Sequence, residues 1–137
     1  MSTDDHDLAW MLDKLRDKAI GTRHVLALSK DGLKICHSTG LDTDHADQLA
    51  AIASGIQSLS LSASGEFGTG IGAGQSMVEF RGGVLLIVPA GEGAHLAVVG
   101  AEDCDVGMIA HYMNELVEQV GGFLVAPPRR RAGAGER

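Results

Sequence analysis

The run Gly68-Thr69-Gly70-Ile71-Gly72-Ala73 is the pattern in this chain that comes nearest to a cofactor site. It matches G-x-G-x-x-A, in which glycines let the backbone approach a pyrophosphate at a helix N-terminus. That chemistry requires a strand before the motif and a helix after it. Here a helical pattern precedes and a strand pattern follows, so the run reads as a connector. There is no G-x-x-x-x-G-K-[ST] loop for a nucleotide. Nucleophilic catalysis has no G-x-S-x-G elbow, because Gly74-Gln75-Ser76 lacks the closing glycine. Cys36-His37 and His45 are the nearest approach to metal-ligand spacing. A helix start separates them and a fourth ligand is missing. His24, His95 and His111 stand alone and read as edge or surface residues. The expectation is a protein with no catalytic residues, cofactor or metal.

The elements that hold these residues follow from periodicity. Leu8, Met11, Leu12, Leu15 and Ala19 recur at helical spacing, predicting a helix over 7–20 that ends at Gly21. Apolar runs over 25–29 and 33–38 flank Asp31-Gly32, the signature of a hairpin with a type I′ turn. Asp42, Asp44 and Asp47 open a second helix that should end near Ser64-Gly65. Its apolar stripe is Leu49, Ile52, Ala53, Ile56, Leu59, Ser60 and Ala63. Strands over 76–80, 84–88 and 94–101 come next. The run Val84-Leu85-Leu86-Ile87-Val88 does not alternate, as in a strand covered on both faces. A last helix over 106–120 presents Ile109, Tyr112, Met113, Leu116 and Val120, and Gly121-Gly122 stops it. The order α-β-β-α-β-β-β-α predicts an α+β domain with a five-stranded antiparallel sheet and three helices. The expected domain spans 7–124, between disordered segments 1–6 and 125–137.

Bulk properties narrow the partners. A chain of 137 residues makes one domain with a sizeable core. The net charge of −7 argues against nucleic acid, since phosphates must be neutralised by clustered Lys and Arg. Cys36 and Cys104 form no CxxC pair and read as reduced structural thiols. The polar, acidic start is unlike a signal peptide, and no run of about 20 apolar residues exists. A cytoplasmic protein is expected.

The second helix is the most informative element. From Gln48 to Gly65 it has no charged residue. Opposite the apolar stripe lie Ala50, Ala51, Ser54, Ser58 and Leu61, where a surface helix normally carries charge. So short a chain has little with which to cover both faces. A homodimer with this helix at the interface is therefore favoured, two-fold dimers being the commonest soluble oligomers. Strand 76–80 reads as a sheet edge. Pairing it with its copy would place Met77 and Glu79 in the same interface. Trp10, the only tryptophan, lies opposite the apolar stripe of the first helix and is a candidate partner contact.

Leu8-Ala9-Trp10-Met11-Leu12 and Arg23-His24-Val25-Leu26-Ala27-Leu28-Ser29-Lys30-Asp31-Gly32-Leu33 resemble the opening of bacterial roadblock proteins, also called the dynein light chain seven family. Gly40-Leu41-Asp42, Ala46-Asp47-Gln48-Leu49-Ala50-Ala51, Gly83-Val84-Leu85-Leu86 and Leu96-Ala97-Val98-Val99 continue the likeness over about residues 7 to 124. The actinobacterial subgroup fits best, although Ala19-Ile20-Gly21-Thr22 replaces its usual proline-glycine turn. The resemblance implies the fold order derived above, a homodimer with paired second helices, and a sheet continued across the edge strand. It also implies small Ras-like GTPases as partners, together with a sensor-kinase-like membrane protein and a small partner protein that would recruit the chain to the membrane. Some such proteins stimulate GTP hydrolysis. Arg23 and Arg81 are the conceivable arginine fingers. The alternative is a small-ligand sensory domain, which should contain a pocket of about 300 Å³ or more.

Overall fold

A computed structural model describes residues 3–120 except residue 73. The expected stop at Gly121-Gly122 and the expected tail over 125–137 lie outside the described residues. Eight elements follow in order: α1 (Thr3–Lys18), β1 (Thr22–Ser29), β2 (Lys34–His37), α2 (Thr43–Phe67), β3 (Ser76–Phe80), β4 (Gly83–Pro89), β5 (Ala94–Ala101) and α3 (Val106–Val120). The α1 helix starts at Thr3, ahead of the expected Asp7.

The strands form one antiparallel sheet in the order β2-β1-β5-β4-β3. Two local hairpin systems meet in the middle, where β1 pairs with β5 from Thr22↔Gly100 to Ser29↔Ala94. The edges are β2 and β3. Strand β4 is next to an edge yet buried on both faces, which explains its unbroken apolar run.

Each face of the sheet has its own core. Val25, Ala27, Leu86, Val88, Leu96 and Val98 meet Leu8, Leu12 and Leu15 of α1 and Ile109, Met113 and Leu116 of α3. On the other face Leu26, Leu28, Leu85, Ile87 and Ala97 meet Ala46, Leu49, Ala50 and Ala53 of α2. The described residues thus form three layers, with α2 the one described helix on its side. Alternation of side chains along β1, β4 and β5 makes both cores from the same strands. Fully burying one such Leu or Ile contributes about 1.5–3 kcal/mol.

The β1–β2 turn differs from expectation. Gly32 N donates to Ser29 O (3.0 Å), so the turn closes over Lys30-Asp31, and Gly32 follows at φ +90°. This is a turn over Lys30-Asp31 followed by a left-handed glycine, rather than a two-residue type I′ turn over Asp31-Gly32. The extra residue satisfies the backbone another way: Ser29 N donates to Leu33 O (2.8 Å).

Candidate functional site

Helix α2 is set by its cap and by small residues against the sheet. Asp42 is extended at the N-cap, and its carboxylate accepts from His45 N (2.9 Å) and meets His45 Nδ1 at 2.7 Å. The bond from the His45 backbone, then that from its ring, holds the Asp42 carboxyl below its ordinary value. The helix buries Ala46, Leu49, Ala50, Ala53 and Gln57, at i, i+3, i+4, i+7 and i+11. Alanines on this stripe bring the helix close to the strands. Buried Gln57 donates through Nε2 to Gly74 O (3.0 Å) and accepts from Ser76 Oγ (2.6 Å). It therefore ties the end of the glycine connector and the start of β3 to the helix.

This stripe corrects the expected rotation of α2. Ala50, expected at an interface, is fully buried against the sheet. Ile52 and Leu59, expected in the core, are 54% and 72% exposed. Both helix faces are apolar enough that periodicity alone leaves the rotation open. Small alanines win the sheet contact because the large side chains would hold the helix off. Ser54 is half-buried, and its hydroxyl donates to Lys30 O (2.9 Å). With Ser58 and Leu61 it lines an open cleft of about 350 Å³ against the hairpin turns. Ala51 is exposed. The helix also runs on to Phe67, past the expected end at Ser64-Gly65, and is capped by Gly68 N donating to Ser64 O (2.9 Å).

On the α2 face the cover among the described residues ends at β4, and the edge strand β3 is exposed. Val78, Leu85, Val99 and His24 stand in register across four strands on the α2 face. Val78 and Phe80 are partly exposed there, while Met77 and Glu79 point to the opposite face, toward α3. The expected interface residues are thus divided between two faces, and Met77 and Glu79 meet the α2 group only through the β3 backbone. The exposed apolar residues of this surface that the sequence reading did not place there are Ile52, Leu59, Phe67, Val78 and Phe80. A usable signal was the seven-residue spacing of Ile52, Leu59 and Glu66, with Gly55 and Ser62 between them.

At the N-terminal end of α2 an open cleft of about 460 Å³ is lined by Arg23, His24, His45, Gln48, Ile52 and Val99, among others. Burial first, then the Arg23, Arg16 and His45 charges, push the His24 pKa below 6.5. Arg23 has no ion-pair partner among the described residues. Arg81 is exposed in the β3–β4 turn. Cys36 packs into the α1/α3 core, whereas the neighbouring His37 points to the other face and its Nδ1 lies 3.0 Å from Ser38 O. The two are not presented to one ion. The glycine motif joins the α2 cap to β3, with no helix at its end. Trp10 is 60% exposed on α1, with Lys14 Nζ 4.7 Å above its ring. It sits on the layer opposite α2, so it belongs to a separate surface.

A family model for the Roadblock/LC7 domain matches residues 8–100. The chain belongs to the Roadblock/LC7 family. Among solved structures, this Roadblock/LC7 chain is similar to the Roadblock/LC7 domain from Streptomyces avermitilis. The two are 36% identical over 85% of this chain and 96% of that one, with a TM-score of 0.80. The gliding protein mglB from Thermus thermophilus shares the fold at 17% identity, covering 90% and 93% of the two chains, with a TM-score of 0.79. Schizosaccharomyces pombe profilin shares it more distantly, at 13% identity over 83% and 96%, with a TM-score of 0.60. No curated protein matches the sequence significantly.

Proposed function

We propose that this Roadblock/LC7 domain is a non-enzymatic regulator or scaffold of a small Ras-like GTPase in a bacterial signalling complex, acting as a homodimer. One observation carries the reading: an uncharged, apolar helix face lies beside a sheet edge that pairs with no described strand, in a chain of this family. Ile52 and Leu59 of α2 and Val78 and Phe80 of β3 frame an apolar surface that is exposed among the described residues. Pairing β3 with its copy would satisfy the edge and bring the two α2 helices together. The dimer would then present a two-fold surface to the GTPase. A sensor-kinase-like membrane protein and a small partner protein complete the proposed complex and would bring it to the membrane.

Regulation in this reading is differential binding. A protein that prefers one nucleotide state of the GTPase tenfold shifts its equilibrium by about 1.4 kcal/mol. Faster hydrolysis would come from fixing the GTPase's own catalytic groups. One feature favours the ligand-sensor alternative, the cleft of about 460 Å³ beside Arg23. It lies at the margin of α2 and is open to solvent, unlike an enclosed ligand cavity. The test is GTP hydrolysis by a small bacterial Ras-like GTPase, with and without the purified protein. Acceleration, or unchanged hydrolysis with binding, fits a regulator or a scaffold respectively. Absence of any effect and of any binding would leave the sensor reading.

A further inference from the structure

Two features of α2 have no partner among the described residues, and they sit at opposite ends of the helix. At its C-terminal end, Phe67 is 90% exposed, the most exposed large apolar side chain among the described residues. Beside it, Glu66 is the only charged residue of α2 after Asp47 and forms no ion pair among the described residues. At the N-terminal end lies the cleft of about 460 Å³, apolar along Leu49, Ile52 and Val99 and cationic at Arg23. Asp42 also lines it, but its carboxylate is engaged by His45.

We infer that in the dimer each α2 C-terminus seats in the other subunit's cleft, with the partner's Phe67 against Ile52 and Val99 and the partner's Glu66 paired with Arg23. The inference rests on the dimer reading above and adds its register. If β3 pairs with its copy, the two-fold axis stands perpendicular to the sheet. Both α2 helices then lie on one face and run antiparallel. The start of each lies alongside the end of the other. Centred on Leu59, such a pair sets Ile52 opposite the partner's Glu66 and Gly55 opposite the partner's Ala63. Gly55 has open space around it and Ala63 is exposed, so the backbones can approach. A guanidinium–carboxylate pair at each end is charge-assisted and fixes direction as well as affinity. A phenyl ring buries about 150–250 Å² on entering such a site. A parallel arrangement would instead bring the two Glu66 carboxylates together and leave both clefts empty.

The test uses the full chain. Glu66→Arg and Arg23→Glu should each raise the dimer dissociation constant at least about tenfold, read by light scattering on dilution. The combined variant should recover most of the loss. A second readout is independent of affinity. Chains carrying Ile52→Cys, mixed with chains carrying Glu66→Cys, should form a mixed disulfide on mild oxidation that neither forms alone and the unaltered chain does not form. If the unaltered chain is dimeric but the mixed disulfide fails to form, or the single charge reversals leave the dissociation constant unchanged, the seating is wrong and the dimer stands. If the unaltered chain is monomeric at every concentration, both fail.

Discussion

Gly21 shows how much a single backbone position controls. It has φ +93°, and an added Cβ would lie 2.7 Å from Cys104 Cβ. Gly82 has a similar φ of +96° with open space around it. Both alanine variants should lose about 1–3 kcal/mol to the unfavourable backbone, and Gly21→Ala should lose about 1–3 kcal/mol more to the clash. Urea unfolding of the two would separate these costs, and equal losses would show that the Cys104 contact is soft. Histidines make a different prediction. Burial lowers the His95 pKa below 6.5, and burial with neighbouring cations lowers that of His24. The unfolded chain therefore binds more protons than the folded one as the pH falls through 6.5. Stability is full above that value and declines as the pH drops toward the folded-state value. The melting temperature should fall from about pH 7 to about pH 5, and His95→Gln should flatten the decline.

At the scale of elements, α2 has an alanine face on the sheet and a larger apolar face outward. Ala53→Leu should overpack the sheet contact and cost about 1–3 kcal/mol. Leu59→Asp should leave the unfolding midpoint of the monomer within about 0.5 kcal/mol while reducing the mass in light scattering to one chain. Reversed results would place the helix in the rotation expected from its sequence. The element order, the sheet class and the buried stripes of α1 and α3 were legible because each shows one period with polar residues opposite. Leu8, Leu12 and Leu15 allowed no other face. The rotation of α2 was not legible, since Ile52 and Leu59 fit a core as well as Ala50 and Ala53 do. Only the distance of the helix from the sheet decides between them. The β1–β2 turn was legible as a turn, but Asp31-Gly32 fits a turn over Lys30-Asp31 with a left-handed glycine after it as readily as type I′. Of the candidate interface, the α2 helix and the β3 edge were readable. The cleft beside Arg23 was not, because it joins β1, β5 and the start of α2, which are distant in sequence.

For the molecule as a whole, three layers leave α2 as the sole cover of one sheet face among the described residues, with β3 at the margin. That asymmetry separates the Trp10 surface on the α1/α3 side from the proposed dimer and GTPase surface. Trp10→Ala should therefore leave the dimer mass unchanged, and a shift to monomer in light scattering would show that the two surfaces are coupled. The central claim is that the dimer recognises a small Ras-like GTPase by its nucleotide state. Its most direct test is calorimetric titration of the unaltered chain, and of Leu59→Asp, into that GTPase loaded with GDP or with a non-hydrolysable GTP analogue. Binding at least about tenfold tighter in one state, and lost in Leu59→Asp, is the expected result. Equal affinity for both states, or no binding to either, would contradict it.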